Sequence, residues 1–89
     1  MQKLVSVIMN CYNGEKYLKE SLESVKNQNY KNWELIFYDN SSTDSSKNIF
    51  FNYQEKDKRF KYFKSKKKEK LGLARLNAFK KAKGAFFLF

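Results

Sequence analysis

Residues 5–46 read VSVIMNCYNGEKYLKESLESVKNQNYKNWELIFYDNSSTDSS, two apolar runs with an amphipathic segment between them. The first run, Leu4 to Met9, is rich in β-branched residues and almost continuously apolar, the pattern of a strand buried on both faces of a parallel sheet. Asn13-Gly14 ends it, and Asn13 is a suitable N-cap for a helix beginning there. Tyr17, Leu18, Leu22 and Val25 then recur at helical spacing, with Lys19, Glu20, Glu23 and Lys26 on the opposite face. That helix is expected to stop near Asn27–Asn29. Trp33 to Tyr38 (WELIFY) reads as a second buried strand. Asp39 to Ser42 is a loop, with Ser41 or Ser42 expected to cap the next helix and Asp44 in its first turn.

The same alternation continues outward. A second helix to about Lys56 would bury Ile49, Phe50 and Tyr53. Phe60 to Phe63 is a short strand, and Lys64 to Lys70 a basic loop. Leu73 to Lys83 is a third helix with Ala74, Ala78 and Ala82 on one face, and Gly84 suits the residue after its end. Ala85 to Phe89 (AFFLF) begins another buried strand. The order βαβαβαβ predicts an α/β three-layer sandwich with a mostly parallel, Rossmann-like sheet. Ligands of such sheets bind beyond the carboxyl ends of the strands. That selects Asn10–Asn13, Asp39–Asp44 and Lys64–Gly72 as candidate site segments.

Composition narrows the function classes. Eighty-nine residues make one domain at most, and 42% hydrophobic with 18% aromatic content argues against disorder. One cysteine excludes an internal disulfide, and the absence of histidine excludes a Ser-His-Asp triad. One cysteine without histidine also argues against a structural zinc site. No apolar run approaches the roughly 20 residues of a membrane span, and the start reads as a strand in place of a signal peptide. A reduced, cytoplasmic setting is the expectation. The net charge of +10 is concentrated: residues 56–83 hold 13 basic and 2 acidic side chains. Such a stretch suits a phosphorylated ligand, an anionic membrane or nucleic acid, or is a solvated lysine face.

Tyr12 offers a ring face for a planar base, and amide and carboxylate groups at Asn10, Asn13, Asp39 and Asn40 can read a base edge or a ribose hydroxyl. From spacing alone, the favoured reading is that Asp39, Asn40 and the serines only make the turn and cap the helix. No G-x-G-x-x-G or P-loop is present. Cys11 reads as a small packing residue.

On these residues the chain resembles the opening of family 2 glycosyltransferases of the GT-A fold. The opening V-S-V-I-x-x-x-Y-N is matched through Asn13. The link is matched at Gln28, Tyr30, Glu34 and Ile36, and the D-[DN]-x-S-T-D loop at Asp39 to Asp44. Gly72–Asn77 and Ala82–Phe86 are similar to two further signals of the family. Asn40 stands where many members carry Asp, and the Gly72–Asn77 segment is about one residue shorter than usual. The resemblance implies transfer of a sugar from a UDP- or dTDP-sugar to a glycan or lipid-linked acceptor. It implies Asn10 and Tyr12 beside the base, Asp39 and Asn40 at the base and ribose, and Lys70 or Arg75 at the diphosphate.

In this family the strand begun at Ala85 leads to a D-x-D motif that holds Mg²⁺ or Mn²⁺. Residues 1–89 therefore read as the N-terminal, nucleotide-binding part of a longer enzyme, with metal ligands and catalytic residues expected beyond Phe89. This chain alone is expected to be inactive. Asp39 with Asp44 is a weaker metal pair, Asp44 reading as a helix-start residue. Peripheral membrane contact and self-association through the AFFLF edge are further expectations. Nucleic acid is not an expected partner. The competing reading is a basic nucleic-acid-binding module over 56–83, with Tyr62 and Phe63 for stacking.

Overall fold

The computed structural model describes residues 3–89, with Phe86 and Phe87 described by their backbone. Seven elements alternate: β1 (Val5–Cys11), α1 (Leu18–Lys26), β2 (Trp33–Asp39), α2 (Ser46–Lys56), β3 (Phe60–Lys64), α3 (Leu71–Phe79) and β4 (Ala85–Leu88). The four strands pair in parallel in the order β3-β2-β1-β4. This is the expected α/β sandwich.

The strand alternation sorts side chains to two faces. Val7, Met9, Cys11, Leu35 and Phe37 pack with Leu18, Leu22 and Val25 of α1 and Phe50 of α2. Ile8, Ile36 and Tyr38 point the other way, onto Ala74 and Ala78 of α3. The two alanines let α3 lie close on the sheet. The central strand β2 is buried along its whole length, which explains why its run is apolar but for Glu34 and the terminal Asp39. Phe50 stacks on Phe37 at 4.2 Å between ring centres, and Tyr53 donates to Glu23 at 2.5 Å, tying α2 to α1. Burial and the Glu23 carboxylate push the Tyr53 phenol up to about 12.

Several expected boundaries move. α1 begins at Leu18 after Tyr17, so Asn13 is not its N-cap. α2 begins at Ser46, so neither Ser41 nor Ser42 caps it; Asp44 precedes it and accepts from the Ser46 N–H at 2.9 Å. α3 runs from Leu71 to Phe79 and not from Leu73 to Lys83. Gly84 therefore stands beyond the helix and does not end it. Its φ is not positive, and a Cβ built there would meet the carbonyl oxygen of Leu4 at 2.3 Å. Glycine is required because β1 and the entry to β4 approach backbone to backbone. Gly84→Ala is expected to cost about 3 kcal/mol, since the clash is with main chain that cannot rotate away. Urea unfolding checks it, and a loss below about 1 kcal/mol would mean that the strand entry yields.

Candidate nucleotide site

Three loops meet at the carboxyl ends of β1, β2 and β3. The first two are joined by side chains of each accepting from the other's backbone. Asn13 has a φ of 51°, a conformation asparagine tolerates. Its Oδ1 accepts from the N–H groups of Thr43 and Asp44 at 2.7 and 3.3 Å. In return, the N–H groups of Asn13 and Gly14 donate to Ser42 Oγ and Ser46 Oγ, each at 2.9 Å, and that of Glu15 to Asp44 Oδ2 at 3.1 Å. The N–H groups before α1 thus find partners about 30 residues away in the chain.

Asp39 and Asn40 sit where β2 ends, 1% and 6% exposed. Asp39 Oδ1 accepts from the Ser42 N–H at 2.9 Å, and Oδ2 from the Tyr62 hydroxyl at 2.6 Å. Burial and this bond to a carboxylate raise the Tyr62 phenol far above its ordinary value. Asn40 pairs with the backbone of Glu69 in two 2.8 Å bonds, Nδ2 donating to its carbonyl and Oδ1 accepting from its N–H. The Glu69 carboxylate accepts in turn from Tyr38 Oη at 2.9 Å and Asn77 Nδ2 at 3.1 Å. The third loop is therefore fastened at Glu69, the one acid among its lysines. Ser65 adds an N–H bond to the Asp39 carbonyl at 3.0 Å.

The other expected residues fall around this frame. Tyr12 is 42% exposed, and the Lys68 ammonium lies 3.8 Å from its ring centre, bridging the first loop to the third. Asn10 is the next-to-last residue of β1, and its Nδ2 is a buried donor without a partner. Lys70 immediately precedes α3, and Arg75 lies one turn along it; both are exposed. The structure thus brings Asn10, Tyr12, Asn13, Asp39 and Asn40 together at one edge, with Lys70 at the helix start beside them. Cys11 is buried against Ser42 and Ser46, and burial pushes its thiol up, away from nucleophilic use.

Ser65, Lys68 and Glu69 fall inside the Lys64–Gly72 segment without being singled out by the sequence, and Tyr62 enters there only as a stacking ring of the nucleic-acid reading. A lone acid within Lys64–Lys70 was the available signal for Glu69. Tyr62 packs with the α1/α2 core, while Phe63 lies on the α3 face beneath Lys81. The two rings do not share a surface for stacking bases, so the nucleic-acid module lacks its stacking pair.

The carboxylates at this edge do not fit a divalent cation. Asp39 already accepts from Ser42 and Tyr62, and Asp44 from Ser46 and Glu15. Among the described residues no three cysteine, aspartate or glutamate side chains gather as a metal site. Nor is any described helix long and apolar enough to cross a membrane.

Comparison with known proteins gives this geometry a family. An uncharacterized glycosyltransferase of Haemophilus influenzae is 42% identical over 86 residues, covering 97% of this chain and 34% of its own length. The Escherichia coli UDP-Glc:alpha-D-GlcNAc-diphosphoundecaprenol beta-1,3-glucosyltransferase WfgD is 37% identical over 97% of this chain and 33% of its own length. The chain thus spans about a third of these relatives. The crystal structure of S. aureus TarS 1-349 with UDP-GlcNAc superposes with a TM-score of 0.85 at 27% identity, over 98% of this chain and 26% of that one. The family model Glycosyl transferase family 2 matches residues 6–89, and the chain belongs to that family, with its GT-A fold.

Proposed function

We propose that residues 1–89 are the nucleotide-binding part of a glycosyltransferase that moves a sugar from a UDP- or dTDP-sugar to a glycan or lipid-linked acceptor. The observation that carries the reading is the unpaired Asn10 Nδ2 at the edge where Tyr12, Asp39 and Asn40 converge. A buried donor without a partner calls for an acceptor, and a pyrimidine carbonyl supplies one. Tyr12 gives the base a ring face, once Lys68 yields it, and Asp39 keeps lone pairs for a base N–H or a ribose hydroxyl. Lys70 at the start of α3 suits the diphosphate, because helix N–H groups and the ammonium act together there. Arg75 is the second cation for that role. UDP-linked donors in the names of WfgD and of the TarS complex support the nucleotide class.

Mg²⁺ or Mn²⁺ would be held by carboxylates outside residues 1–89. The reaction is assigned to the cytoplasm, at the inner face of the membrane where a lipid-linked acceptor is reached. The open edge of β4, with Leu88 and Phe89 exposed, is a surface for association with further polypeptide or with a second copy.

An amide NMR titration with UDP, dTDP and ADP, each with Mg²⁺, tests the reading. Shifts confined to 10–13, 39–42 and 64–75, larger for UDP or dTDP than for ADP, are expected. Equal shifts with all three, or none in a dispersed spectrum, would refute a pyrimidine site in this chain.

A further inference from the structure

The third loop walls two spaces. On one side Lys68 reaches over Tyr12. On the other, a cleft of about 440 Å³ opens between the loop and the end of α3, lined in part by Lys64, Lys66, Lys67, Lys80 and Lys81. Its one carboxylate, Glu69, already accepts from Tyr38 and Asn77. Among the described residues the ion pairs are Arg59–Asp57 and Lys61–Glu34, so none of the five lysines is in one. Five ammonium groups around one cleft repel one another, and an anionic partner removes that cost.

The neighbouring surface is apolar. Leu73 and Leu76 are one turn apart on α3 and 50% and 51% exposed, with Lys80 one turn beyond Leu76. Exposed leucines flanked by lysines match the interface of a bilayer, where apolar side chains enter the acyl boundary and ammonium groups meet phosphates. Nucleic acid would want aromatic platforms, and Tyr62 and Phe63 are turned to opposite faces of β3. We propose that the Lys64–Lys67 loop, the end of α3 and the leucines Leu73 and Leu76 form a docking surface for an anionic lipid bilayer. This deepens the reading of a lipid-linked acceptor and rests on it for its purpose, while the binding needs no nucleotide.

The test uses the 89-residue chain and phosphatidylcholine vesicles with and without phosphatidylglycerol. Binding is expected with the anionic lipid only. The variant Lys66→Glu/Lys67→Glu/Lys80→Glu/Lys81→Glu should bind at least about 100-fold more weakly, since each lysine near such a surface is worth roughly fivefold. Reversing Lys16, Lys19, Lys26 and Lys47, on the opposite side of the sheet, changes the net charge equally and should weaken binding by less than about threefold. Leu73→Gln/Leu76→Gln should abolish the binding that survives added salt.

Circular dichroism verifies that each variant is folded. Equal losses from the two charge reversals, or no binding to either vesicle, would overturn the proposal. So would tighter binding of a single-stranded oligonucleotide than of vesicles at equal phosphate, through the same four lysines. UDP shifts at 10–13 and 39–42 are recorded in parallel. Their persistence without vesicle binding would refute the docking surface alone, and their absence with vesicle binding would refute the nucleotide site alone.

Discussion

Glu34→Ala is expected to destabilise the fold by about 3–5 kcal/mol, because it strips a buried acceptor from three donors at about 1–3 kcal/mol each. Glu34 is 2% exposed on the central strand β2, and its two oxygens serve both neighbouring strands and the entry to β4. Oε1 accepts from the Lys61 ammonium of β3 at 2.9 Å. Oε2 accepts from Ser6 Oγ of β1 at 2.5 Å and from the Lys83 N–H, just before β4, at 2.9 Å. Ser6 Oγ accepts from the Gly84 N–H at 2.9 Å. One carboxylate on β2 thus reaches β3, β1 and the start of β4. Alanine leaves the buried Ser6 hydroxyl without its acceptor and takes away the partner of the Lys83 N–H. Lys61 is part-exposed and recovers water, which keeps the cost within the stated range.

Two further outcomes identify this network. Burial pushes the Glu34 carboxyl up, but the bonds from Ser6, Lys83 and Lys61 outweigh it and hold it below its ordinary value of 4.5. A depressed carboxylate contributes stability that is complete above the unfolded value and lost as pH falls through the folded one. Glu34→Gln should therefore flatten the acid limb of the stability curve, below about pH 4.5. In Glu34→Ala, the amides of Ala85–Leu88 should lose exchange protection first, because the Lys83 and Gly84 N–H groups tether that strand. A urea midpoint lowered by the equivalent of less than about 1 kcal/mol, with β4 protection intact, would show that the network does not hold the sheet together.

Glu34 also shows how far the sequence could be read. All seven elements and the parallel sheet follow from local signals, because buried strands need β-branched runs and half-buried helices need the spacing of Leu18, Leu22 and Val25. The element boundaries depend on partners far away in sequence. Asn13 looks like a helix cap, since the rule for caps is local, yet its oxygen serves Thr43 and Asp44. Gly84 looks like a helix end, yet Leu4 requires it. At the site, Asp39 and Asn40 were visible as residue types at a strand end. Their bonds to Tyr62 and to the Glu69 backbone were not, because pairing across 23 and 29 residues leaves no periodic trace. An acid inside the apolar run WELIFY was a readable sign of a buried charge, and donors from Ser6, Lys61 and Lys83 answer it.

The two ways of replacing Asp39 should separate its structural work from nucleotide recognition. Asp39→Ala strips the acceptor from the Ser42 N–H and from Tyr62 Oη. Two part-buried donors left unpaired cost about 1–2 kcal/mol each, so a loss of about 3 kcal/mol is expected, together with the geometry of the second loop. Asp39→Asn keeps more. Its Oδ1 can still accept from the Ser42 N–H, and its amide can donate to the Tyr62 hydroxyl, which reverses its own role. Stability should fall by about 1 kcal/mol only. What Asn cannot supply is a second acceptor for a base N–H or a ribose hydroxyl, and the exchanged donor would face the nucleotide's own donor. UDP affinity is therefore expected to fall by roughly 100-fold in Asp39→Asn, the worth of one charge-assisted hydrogen bond. Calorimetric titration of a variant shown to be folded measures it. If Asp39→Asn binds UDP within about threefold of the parent chain, Asp39 is a turn-making residue and base recognition rests on Asn10 and Tyr12. If Asp39→Asn unfolds as readily as Asp39→Ala, the bond to Tyr62 requires the carboxylate itself, and the strand end is held by charge and not by shape.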